Sequence, residues 1–138
     1  MVIEKKPLHY FGYIFVGFAH LTDNKFTQDE HRKVIEFVND WAGKERYTNG
    51  DFAILMAEIM LWYEEIKDLT AKEVEFRKHV DLVNKNNWLT LEQKEKFLLQ
   101  LVQLALADGD LNKNEVDWIR MITNAWGVKV NLSFDEED

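Results

Sequence analysis

Apolar residues along this chain recur every three or four positions, and short polar stretches break the pattern into six segments. The first, Leu8 to Leu21, is apolar almost all round, as a helix enclosed by others would be. The second opens with Thr27 and Glu30 at the spacing of a capping box, in which each side chain satisfies an orphan backbone N–H. Val34, Val38 and Trp41 form its stripe, Gly43 ends it, and the polar run Gly43 to Asp51 reads as a loop. The third segment, Phe52 to Lys67, begins FAILMAEIMLWY, apolar on every side except at Glu58. In the fourth, Thr70 and Glu73 predict a capping box, Leu69 and Val74 a hydrophobic staple across it, and Phe76, Val80 and Val83 a narrow buried stripe. Asn84 to Asn87 stops it. Thr90 and Gln93 open the fifth, with Phe97, Leu98, Leu101, Leu104 and Ala105 facing inward. Asn112 and Glu115 open the sixth, Leu111 and Val116 staple it, and Gly127 stands where a left-handed cap belongs. Alternation with period two occurs only briefly, between Val128 and Leu132. The expected fold class is all-α: a compact bundle of six to seven helices in one domain over residues 1–138, with an acidic tail from 128 to 138 that frays.

The first and last hairpins repeat at an offset of 85 positions. Leu21 matches Leu106, Asp23 matches Asp108, Glu30 matches Glu115, Asn39 matches Asn124 and Trp41 matches Trp126. That period is too long for a solenoid, so the reading is a pseudo-duplicated helix–acidic turn–helix unit with two helices between the copies.

Composition narrows the chemistry. The chain has no cysteine, which excludes disulfides, thiolate metal sites and cysteine nucleophiles, and fits a reduced, cytoplasmic setting. A net charge of −8, with no clustered basic face, argues against binding nucleic acid. Lys5-Lys6 followed by Leu8 to Phe18 has the outline of a targeting signal, but the run is shorter than the roughly 20 residues that span a bilayer. It carries His9 and two glycines and reads as a buried core helix, not a transmembrane segment.

One turn carries candidate chemistry. Asp108, Asp110 and Asn112 fall at positions 1, 3 and 5 of an EF-hand loop, but position 6 is Lys113 rather than glycine and position 12 is Ile119 rather than glutamate. The sharp bend and the bidentate ligand are both missing, so an EF-hand is excluded. A simpler oxygen site remains. Asp108 and Asp110 would add carboxylates to the negative end of the fifth helix, the kind of ligand set that Ca2+, Mg2+ or Mn2+ takes. A turn glycine, an N-cap and a capping box account for most of these residue types without a metal, and that structural reading is the stronger one. The first copy keeps Asp23 and Glu30 but has Lys25 where Asp110 falls, and a lysine there repels a cation.

An apolar helix, then Ala107-Asp108-Gly109-Asp110-Leu111, then Glu115, then a helix ending Trp126-Gly127-Val128, resembles the tellurite-resistance TerB-like family. The resemblance implies a compact helical fold with an acidic surface proposed to bind divalent cations, an association with stress-response or membrane-linked complexes, and no established catalysis. Asp108, Asp110 and Glu115 carry over as metal ligands, and Asp23 and Glu30 as a weaker second set.

Elsewhere no catalytic constellation can be named. His9, His20, His31 and His79 lack zinc-ligand spacing, Glu58 is a lone carboxylate, and there is no P-loop, GxSxG or Rossmann pattern. Two functions follow: a non-enzymatic acidic module that binds divalent cations at the Asp-Gly-Asp turn, or a protein–protein interaction module in which the turn is only a cap. The second expects a partner face of exposed aromatics such as Tyr47, Tyr63 or Trp88.

Overall fold

A computed structural model describes residues 5–23, 26–43, 49–108 and 111–129, with the side chains of all of these except Asp23, Asn49 and Asp108. These residues form six α-helices and no strand: α1 (Pro7–Asp23), α2 (Gln28–Ala42), α3 (Asn49–Glu65), α4 (Leu69–Lys85), α5 (Leu91–Ala105) and α6 (Lys113–Trp126). A 3-10 turn, Leu106–Asp108, extends α5.

The apolar α1 is the hub, packed against each of the other five helices. Tyr13, Ile14, Phe15, Val16, Phe18 and Ala19 are completely buried in succession, because α1 meets a neighbour on every side. Its two glycines set the approach distances. A Cβ at Gly17 would stand 2.7 Å from the Phe76 ring of α4, and one at Gly12 would run into Ile59 of α3. The aromatic ring of Phe97 on α5 stacks on Phe15 at 4.4 Å and touches Trp41 of α2 and Trp126 of α6, so it joins the ends of both hairpins.

The capping boxes at Thr27–Glu30, Thr90–Gln93 and Asn112–Glu115 form as the spacing predicts. Gly127 is left-handed (φ 67°), as expected of a C-cap, whereas Gly43 ends α2 in a right-handed conformation. Two expectations fail. α4 is capped by Asp68, whose carboxylate accepts from Ala71 N–H, so Thr70 lies inside the helix and makes no box. The staple is also absent, since Leu69 and Val74 are 45% and 60% exposed. α3 starts at Asn49, three residues before the predicted Phe52. The Asn84–Asn87 stop holds, with Asn87 left-handed at φ 54°, a conformation asparagine tolerates. The tail beyond residue 129 lies outside the described residues.

Candidate functional site

Helices that flank the two acidic turns, α1 and α6, pack against each other. Asn114, in the first turn of α6, donates its side-chain N–H to the carbonyl of Thr22 at the end of α1, at 2.5 Å. On the other side, Ala107 borders a cleft with Asp29, Arg32, Lys33 and Glu36 of α2. Residues 92 positions apart in sequence are thus hydrogen-bonded, which ties the end of α1 to the start of α6.

Each entry is built the same way. The Thr27 hydroxyl accepts from Glu30 N–H at 3.1 Å, and Glu30 Oε1 accepts from Thr27 N–H at 2.9 Å. Asn112 Oδ1 accepts from Glu115 N–H at 2.8 Å, and Glu115 Oε1 accepts from Asn112 N–H at 2.9 Å. Both glutamates are almost completely buried, Glu30 at 0% and Glu115 at 1% exposure. Burying a carboxylate costs free energy unless hydrogen bonds or an opposite charge compensate it, and helix N-termini supply part of that compensation.

The third box shows that a glutamate is not required for this job. At α5, Gln93 Oε1 accepts from Thr90 N–H at 2.9 Å, the same distance as in the other two, with a neutral amide on a half-buried side chain. Capping alone therefore does not require a charged side chain at these positions.

Of the sequence-predicted ligands, Glu30 and Glu115 each close the capping box of their own helix, α2 and α6. The side chains of Asp108 and Asp23, and the whole of Gly109 and Asp110, lie outside the described residues. Among the described residues no three histidine or acidic side chains group as a metal set. Ile119, at the twelfth EF-hand position, is completely buried and contributes only packing.

The histidines take roles that spacing does not disclose. His9 Nδ1 accepts from Lys6 N–H at 2.9 Å, which leaves the proton on Nε2 to donate to Glu58 at 3.1 Å. Glu58 is therefore a surface partner to a buried histidine, not half of an acid/base pair. His20 bonds through Nδ1 to the Tyr63 hydroxyl at 2.6 Å. His79 is 2% exposed, walled by the rings of Tyr10, Tyr13 and Trp62, and neither of its nitrogens makes a hydrogen bond among the described residues. Glu75 comes to 3.4 Å without hydrogen-bond geometry. Burial pulls the His79 pKa down to about 4, with Lys78 and Lys5 adding to the effect. The phenols of Tyr13 and Tyr63 are pushed well above their usual value, first by burial. Both phenols therefore keep their protons at neutral pH.

The aromatic partner face expected of an interaction module is not as predicted. Tyr63 is buried, Trp88 is half-buried against the core, and Tyr47 lies outside the described residues. Among the described residues no helix is long and apolar enough to cross a membrane.

No curated protein and no solved structure matches the chain. A family model described as Tellurite resistance protein TerB matches residues 19–132, a span that contains both turns and all of α2 to α6. The chain belongs to the TerB family.

Proposed function

We propose that this chain is a non-enzymatic TerB-type helical module that binds a divalent cation at its paired acidic turns. One observation carries the reading. Three capping boxes do the same structural work, yet the two that open α2 and α6 use buried glutamates where α5 uses a glutamine. A hard cation gives that charge a purpose, because calcium, magnesium and manganese take carboxylate oxygens. Asp108 and Asp110 would supply further oxygens beside Glu115, and Asp23 and Glu30 would form the weaker side, where Lys25 opposes a cation. Binding would tie the end of α1 to the start of α6 and so report metal as rigidity of the bundle end.

Thermal melts in chelator and in millimolar calcium, magnesium or manganese test this. A ligand at 100 times its Kd adds about 2.7 kcal/mol. For a domain of this size that raises Tm by roughly 10 °C. Asp108→Asn with Asp110→Asn should abolish the shift. Coincident wild-type curves would leave the turns as caps only. A shift that survives both substitutions would place the cation elsewhere.

A further inference from the structure

α3 is an apolar helix left half uncovered. Its sequence is apolar on nearly every side, which suits a helix enclosed by others. It nevertheless packs chiefly on α1, with a smaller contact to α2. Leu55, Ile59, Trp62 and Tyr63 face inward, while Ala53, Ile54, Ala57 and Leu61 line the outer face. Ile54 is 59% and Leu61 is 50% exposed, two helical turns apart along the same stripe. At Met60 the stripe runs into a cleft of about 380 Å³ between α1, α3 and α4, walled by Val16, Phe26 and Ile66.

Charge selects the occupant. Glu64 and Glu65 are exposed at the end of the stripe, and the Glu58 side chain at its edge is 34% exposed. α3 contains no lysine or arginine. The bases at the cleft are Lys67 beyond the helix end and Lys72, whose ammonium is buried against the Tyr63 carbonyl and ring. A second copy of this chain, itself at −8, would set the same three carboxylates against each other. An anionic bilayer would be repelled for the same reason. A helix with an apolar face flanked by basic residues is favoured on both counts.

We infer that the outer face of α3 docks a basic amphipathic helix of a partner protein, with one apolar side chain anchored in the cleft beside Met60. Ala53 and Ala57 let the partner backbone approach closely, and Ile54 and Leu61 supply the apolar contact. None of the proposed cation ligands is among the described residues that line the cleft, so the proposal stands whether or not the turns bind a cation.

The test is fluorescence anisotropy of the full chain with a labelled amphipathic Leu/Lys peptide of about 18 residues, long enough to run the length of α3. A peptide of the same composition in scrambled order controls for bulk charge. The helical peptide should bind saturably and at least tenfold more tightly than the scrambled one. Ile54→Gln with Leu61→Gln, a pair that keeps the charge, should weaken it about tenfold while melting like wild type. Glu64→Gln with Glu65→Gln should weaken it less and flatten its salt dependence. Val74→Gln, equally exposed but on α4, should change nothing. Equal binding of the two peptides, or unchanged binding by the Ile54/Leu61 variant, overturns the proposal. So does a concentration-dependent dimer, or sedimentation with phosphatidylglycerol vesicles, that the same variant abolishes, because the face then belongs to a second copy or to a bilayer.

Discussion

The α1–α2 and α5–α6 hairpins share their second helices and differ in their first. α2 and α6 both begin with a capping box whose glutamate is buried, and both end in a buried tryptophan, Trp41 at 5% and Trp126 at 4% exposure. α1 and α5 have parted. α1 sits at the centre, touches every other helix and is apolar all round. α5 lies at the margin, keeps one polar face and leaves Leu99 half exposed. The tryptophans record the same divergence. Trp41 donates its indole N–H to the Gln100 side chain at 2.8 Å, and Gln100 in turn donates to Asp40. Trp126 donates to the Val80 backbone carbonyl, also at 2.8 Å. The two hairpins thus differ in their first helices and indole partners, while the caps that open α2 and α6 have the same chemistry.

The largest break in this symmetry should come at Phe97, the ring that touches both tryptophans. Phe97→Ala should cost about 3–5 kcal/mol in urea unfolding, because the cavity opens between the two hairpins at once. A cost below about 1 kcal/mol would mean that the hairpins hold without a shared centre.

Acid should strike the connection between α1 and α4 next. His79 is neutral in the folded chain down to about pH 4, whereas an unfolded histidine takes its proton near 6.5. Between those values the unfolded state binds more protons, so stability falls as pH falls, by about 3 kcal/mol when pH 4 is reached. Unfolding free energies at pH 7 and pH 4 for wild type and His79→Phe would isolate this, since the variant loses that share of the slope. Parallel slopes would remove the effect from His79.

Smaller effects sharpen the comparison. Gly17→Ala gains helix propensity but forces its methyl into the Phe76 ring, and should be net destabilising by about 1 kcal/mol. Stabilisation there would mean that α4 moves freely. Thr27→Ala and Asn112→Ala should each cost about 1 kcal/mol, equal within error if the two caps are equivalent. Thermal or urea melts of the two variants side by side would check it.

Much of this was legible because it is local. Three capping boxes, the Gly127 cap and the Asn84–Asn87 stop are set by residues within a few positions of one another, and the enclosed character of α1 follows from its unbroken apolar pattern. The error at α4 was a choice between neighbours: Asp68 and Thr70 are both good N-caps, and the exposed Leu69 and Val74 show that no staple favoured the later start. What was not legible is long-range. His9 meets Glu58 from 49 positions away, His20 meets Tyr63 from 43, and Asn114 meets Thr22 from 92. No periodicity encodes those contacts, and the last of them ties the end of α1 to the start of α6. The glycines of α1 were visible as glycines, but their reason lies in Ile59 and Phe76.

Calorimetric titration of calcium, then manganese, into chelator-stripped protein tests the central claim most directly when wild type is set beside Glu30→Gln with Glu115→Gln. Gln93 shows that an amide keeps the cap, so the variant should melt at or above the wild-type temperature without metal. Wild type should bind saturably, and the variant should bind at least tenfold more weakly, roughly the 1.4 kcal/mol of one lost charge contact. Identical isotherms, or no binding by wild type, would contradict the account and reduce both buried glutamates to caps.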